Sequence, residues 1–254
     1  MPATTINQII VRLEDIYTDS VRTKSRMGYF TALYLRVTKA VRDKINEGNY
    51  FEDNARMEQL DVVFANRYID AYEAYHKGEA CSECWKVAFD ATKKWNPIVL
   101  QHLFVGMNAH ISLDLGIAAA TVSPGSEINA LHNDFNKINE LLNGLVGTVQ
   151  NELAQIWRPM KWIDKLMGKT DEAIAQFAMG IARDAAWEVA LEYAPLTTAE
   201  EKEEFIAKRD KEVAGFGRKL IYLKSWLLRI PLFIIRMMEK GTIRKKLSIL
   251  NQGN

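Results

Sequence analysis

His110 and Asp114 stand four positions apart in a stretch, residues 97–120, that is otherwise apolar on nearly every side. A helix of that composition is buried. An imidazole and a carboxylate inside it each cost several kcal/mol unless they find partners. At about 100° per residue the two side chains lie within roughly 40° of each other, one turn apart on the same face. Three outcomes follow from that spacing. The pair can bond to itself and lock the core, aim at one divalent ion, or act as an acid and a base. Gln101, Asn108 and Ser112 fall on a second face, roughly 160° away by the same count, where they suit bonds to neighbouring helices.

Other residues bear on the pair. In the segment 127–154, Asn129, His132, Asn133, Asn136, Glu140 and Asn143 form one face, and Leu131, Phe135, Ile138, Leu141, Leu142 and Leu145 form the opposite one. Asp134 falls on the apolar side and must be paired. After the short turn Ser123-Pro124-Gly125 this helix is expected to pack antiparallel to the 97–120 segment, which would let Asp134 reach His110 and Asp114. Arg183, on another apolar helix, is the cation expected to neutralise such carboxylates, because its fork bonds them bidentately. Asp61 sits on the apolar side of the helix holding Phe64, Tyr68 and Tyr75, where a cap or a tyrosine bond is the preferred reading. His76, Cys81 and Cys84 include zinc-ligand types, but a lone Cys-x-x-Cys is a weak signal. His102 and His132 fall away from the cluster and read as packing or surface residues.

Helices must position these groups. Apolar residues recur with helical spacing, broken at Gly48-Asn49, Lys77-Gly78, Asn96-Pro97, Ser123-Pro124-Gly125 and Ala194-Pro195. The pattern predicts helices near 5–22, 28–46, 53–76, 83–94, 98–121, 127–156, 171–193, 198–222 and 224–240, and no strand. Pro97 suits a first helical turn, and Thr198 with Glu201 forms a capping-box pattern. Glu200, Glu201, Glu203 and Glu204, ahead of Lys208, Arg209 and Lys211, mark 198–217 as a solvated outer helix.

The 254 residues, 48% hydrophobic and 26% charged, suit one folded domain rather than a disordered chain. A net charge of +1 offers no global attraction to nucleic acid. No Walker loop, dinucleotide-binding glycine pattern, nucleophile elbow or His-Glu-x-x-His motif is present. Two cysteines make no disulfide framework, and residues 1–10 carry no secretory pattern, so the expectation is a cytoplasmic protein. Residues 218–250 hold nine basic side chains against the single acid Glu239. Lys224, Arg229, Arg236 and Pro231 argue against a membrane span there. Such a segment can lie in a lipid interface through Trp226, Leu227, Phe233 and Ile234, or pack on the core with its basic side chains snorkelling. Packing is the preferred expectation.

Tyr34-Leu35-Arg36-Val37-Thr38, the run from Leu60 to Tyr68, Gly106-Met107-Asn108-Ala109-His110-Ile111 with Asp114, Asp134-Phe135 with Asn139, and Arg183 with Trp187 together resemble a bacterial family known as domain of unknown function 5995. The likeness covers roughly 27–193. It implies a bacterial helical protein and no defined activity. A fainter likeness is to helical zinc phospholipases and nucleases, where a His-x-x-x-Asp pair binds metal. Those proteins use further histidines, and this chain has four in all, so at most one ion is implied.

The expected architecture is a single all-α bundle over 1–254, of about eight or nine helices around the buried 98–121 helix. Residues 27–193 would form the family-like core and 198–254 a charged and basic outer layer. The expected function is a metal-assisted hydrolase or lyase acting on a small or lipid-like substrate. In it His110, Asp114 and Asp134 would hold one divalent ion or exchange protons, and Arg183 would orient an anionic group. The alternative is a non-catalytic module that binds an apolar ligand or protein partner, with the same residues as a structural network.

Overall fold

The computed structural model describes residues 2–156, 179–223 and 226–252. Among them are eleven α-helices and no strand. Local chemistry sets many of their ends. Helix α1 (Ile6–Thr23) opens on the Thr5 side chain and buries Ile6, Ile9, Ile10, Leu13 and Ile16, the stripe that a 3.6-residue period places on one face. Helix α2 spans Gly28–Glu47 and stops at Gly48, whose φ of 80° suits glycine. Helix α3 (Asn54–Lys77) is capped by Asp53 and ends the same way at Gly78. Helix α4 is Glu83–Thr92.

The central rod runs from Val99 to Val122 and is largely buried, as expected of the core helix. It has three parts: α5 (Val99–Ala109), a π-helical segment (His110–Leu115) and α6 (Gly116–Val122). Ile98, in extended backbone, is its N-cap, so Pro97 lies just outside the first turn rather than in it. After a 3-10 turn at Gly125–Glu127 come α7 (Ile128–Ile156), α8 (Met179–Tyr193), α9 (Ala199–Ile221), α10 (Trp226–Met238) and α11 (Ile243–Leu250). The start of the helix expected at 171–193, and Lys224 at the head of the one expected at 224–240, lie outside the described residues. Thr198 and Glu201 form the capping box that their spacing indicates.

Helices α2, α4 and α9 surround α5, while α3 and α8 cover the π segment and α6. Two glycines allow close crossings on the rod. A Cβ at Gly106 would stand 2.7 Å from the Phe30 ring, and one at Gly116 would stand 2.6 Å from the Ala186 carbonyl oxygen. On the second face of the rod, Gln101 Nε2 donates to the Leu220 carbonyl and Asn108 Nδ2 to that of Val213, which fastens α9. Helix α7 does not pair mainly with the rod. It packs on α8, α11 and α2, and a buried ion pair between Arg36 and Glu152 at 2.6 Å joins it to α2. Helix α11, absent from the sequence expectation, closes a second apolar cluster of Tyr29, Val99, Leu103, Leu153, Ile156 and Leu247.

Candidate functional site

The π-helical segment begins at His110 and includes Asp114, so the pair sits where the backbone departs from the α-helical repeat. Single π turns within α-helices are frequent at functional positions. Both side chains are almost wholly buried. Asp114 Oδ1 accepts from Arg67 Nε of α3 at 2.7 Å, and Oδ2 accepts from Trp85 Nε1 of α4 at 2.8 Å. His110 Nδ1 lies 3.3 Å from the same Oδ2. One carboxylate thus joins α3 and α4 to the rod.

Burial by itself would raise the Asp114 pKa, but the Arg67 guanidinium, His110 and the Trp85 bond outweigh it and hold the carboxyl below its ordinary value. Burial lowers the His110 pKa, only partly opposed by Asp114, so the imidazole is neutral at pH 7. With Nδ1–H donating to Asp114, Nε2 is a bare acceptor. It has no partner among the described residues. The ring stacks on Phe64 at 3.6 Å between centroids and meets the Tyr34 ring edge-on at 4.4 Å. Phe30, Tyr68 and Trp85 complete the aromatic surround.

Other buried polar atoms belong to the helices beside it. Among the described residues Asp61 Oδ2 is buried without a hydrogen-bond partner, and the buried Tyr34 hydroxyl interacts with that of Thr38. Burial, with a smaller contribution from Glu58, pushes the Asp61 carboxyl up to about 7. Burial also raises the Tyr34 phenol, and the Asp61 charge adds to the effect. Among the described residues the expected cap or tyrosine bond of Asp61 is not made.

Asp134 is placed elsewhere. Its two oxygens accept from the backbone N–H groups of Glu52 and Asp53 at 2.7 and 2.9 Å, with Lys137 at 3.3 Å, so it caps the start of α3 from α7. Arg67 lies fourteen residues further along α3, roughly 20 Å at the helical rise. The expected convergence of Asp134 with His110 and Asp114 therefore does not occur, because α7 turns from the rod toward the first turn of α3. Arg183 is buried too, but it donates to the Phe135 carbonyl at 2.8 Å and lies over the Phe135 ring. Burial pushes its pKa down to about 9. It pairs with neither Asp114 nor Asp134; Arg67 occupies the role expected of it.

His76 Nδ1 lies 2.9 Å from the Tyr72 carbonyl, and Cys84 is buried with its thiol pushed far up by desolvation. Among the described residues no three His, Cys, Asp or Glu side chains are gathered so as to hold a metal ion. His102 is buried, with neither nitrogen hydrogen-bonded among the described residues, and burial drives its pKa down to about 3. It lines a cavity of about 20 Å³ with Phe30, Tyr68, Trp85 and Gly106, room for one water. His132 is exposed, beside Asn136.

Sequence reasoning missed Arg67, Trp85 and the Phe64 stack. A signal for two of them was present, since Phe64 and Arg67 lie in the run from Leu60 to Tyr68 that carried the family likeness.

A search of curated proteins and of solved structures finds no match to this chain. A family model does match, over residues 6–223, which extends the likeness read at 27–193 through α1 and α9 and stops short of α10. Having most of its length within that match, the chain belongs to the family of unknown function DUF5995.

Proposed function

We propose that the chain is a non-catalytic helical module that binds an apolar partner, with Arg67, Trp85, His110 and Asp114 as a polar lock in its core. The observation that carries this reading is the closure of the carboxylate. Both oxygens of Asp114 are engaged, by Arg67 on one side and by Trp85 and His110 on the other. His110 is packed against Phe64 and Tyr34, and the one-water cavity beside Trp85 is lined by neither His110 nor Asp114. A substrate site is concave and open to the reacting group. A sealed carboxylate with three donors instead fixes how α3, α4 and the rod sit together.

A metal-assisted hydrolase or lyase acting on a small or lipid-like substrate is the second reading. It is favoured by one observation, the unpartnered Nε2 of His110 in a π turn. Elemental analysis of the purified protein beside His110→Ala separates the two. The module reading expects no stoichiometric metal in either and a variant destabilised by about 2–4 kcal/mol in chemical denaturation. One equivalent of metal in the native protein, lost in a variant of unchanged stability, would overturn it.

A further inference from the structure

We propose that the outward face of α10 docks on an anionic lipid bilayer, an inference that rests on the module reading and names the class of its partner. Trp226, Ile230, Phe233 and Met237 recur at helical spacing, so they form a single stripe along α10. That stripe faces solvent, with exposures of 67%, 51%, 55% and 62%. Ile235, on the opposite side, is buried. Four large apolar side chains in one exposed row mark an interaction surface rather than scattered surface apolarity. Exposed Trp95, whose ring lies 6.2 Å from that of Phe233, continues the apolar surface past the helix.

The charge around the stripe selects the partner. Arg229 within α10 and Lys240 just past its end are exposed, and neither joins an ion pair among the described residues. Glu239, the single acid of 218–250, is turned inward, where Arg236 and Lys246 neutralise it. The outer surface is thus apolar in the middle and cationic at its margins, complementary to acyl chains beneath anionic headgroups. Thirteen residues make a helix of roughly 20 Å, short of the ~30 Å hydrocarbon core, so α10 lies in the interface and does not span it. A second copy of the chain fits worse, because pairing two such faces brings like charges together. A convex row of side chains also enters a fluid acyl layer without needing a shaped counterpart. Among the described residues, the bonds from α10 and the residues just past it to distant parts of the chain lie at its C-terminal end: Arg236 Nε donates to the Trp95 carbonyl, and the Lys240 N–H donates to that of Ile156. The stripe is left outward.

Flotation of the full chain with phosphatidylglycerol and phosphatidylcholine vesicles tests the assignment, with the double variant Ile230→Ser/Phe233→Ser alongside. The native protein is expected to float with phosphatidylglycerol, to float far less with phosphatidylcholine, and to be released as ionic strength rises. The variant, with an unchanged circular dichroism spectrum, is expected to bind at least about tenfold more weakly. Equal binding by variant and native protein overturns the proposal, as does equal binding to both lipids. A native dimer that the variant converts to monomer, without flotation, assigns the stripe to a second copy and also overturns it. Failure of the native protein to float removes the lipid partner alone; the module reading stands or falls on the metal content of the His110 variant.

Discussion

Around His110 and along α10 the chain puts charge and apolar surface in opposite places. In the core, a carboxylate and an imidazole are surrounded by aromatic rings, and an arginine from α3 neutralises the carboxylate. On α10, large apolar side chains are outermost, with exposed Arg229 among them and Lys240 just beyond. The first arrangement is stable only if its bonds are complete, because an unpaired charge in a dry interior is costly. The second needs no internal partner, and its exposed apolar surface is resolved only by something outside the fold. The family match includes the first region and ends before the second. The difference teaches that buried polarity is read from its partners, and exposed apolarity from what it lacks.

The largest expected effect lies in the core. Asp114→Ala leaves the Arg67 guanidinium, the Trp85 N–H and His110 Nδ1 without their shared acceptor, and about 3–5 kcal/mol of stability should be lost in chemical denaturation, less what water returns to the partly exposed Arg67. A loss below about 1 kcal/mol would show that the network is not what joins α3 and α4 to the rod.

Asp61 sharpens the contrast within the core itself. Its folded pKa, about 7, exceeds the ordinary carboxylate value, so between the two the folded state holds a proton that the unfolded state has released. Its penalty is absent below about pH 4, grows as pH rises toward 7 and remains above it. Asp61→Asn should therefore match the native protein near pH 4 and exceed it by roughly 2–4 kcal/mol at pH 8, measured by urea unfolding at each pH. Asp114 runs the other way. Its depressed folded pKa means that its contribution is present above the ordinary carboxylate range and is lost as pH falls through the folded value. The same stability at both pH values for Asp61→Asn relative to native would show that Asp61 finds a partner in solution.

The smallest effect belongs to α10. Ile230→Ser/Phe233→Ser removes apolar atoms that already face water, and the unfolding free energy should change by no more than about 0.5 kcal/mol. A loss several times larger would mean that the stripe is covered by the chain itself and that the two regions are alike.

The helical periodicity of the sequence determined the fold class, most helix positions, the central rod and the shared face of His110 and Asp114, because each of these depends on residues within a few turns of one another. The wheel also placed Asp134 correctly on the apolar side of α7 and identified it as paired. Which helix it faced was beyond that reasoning: a wheel gives a direction about one axis, while the neighbour met in that direction depends on how separate axes cross. That is why Arg67 of α3, and not Arg183 of α8, reached Asp114. Likewise the apolar composition of α10 left a lipid interface and packing on the core both open, with packing preferred, since composition records what a side chain prefers and only the packing of the whole chain decides whether anything is there to cover it.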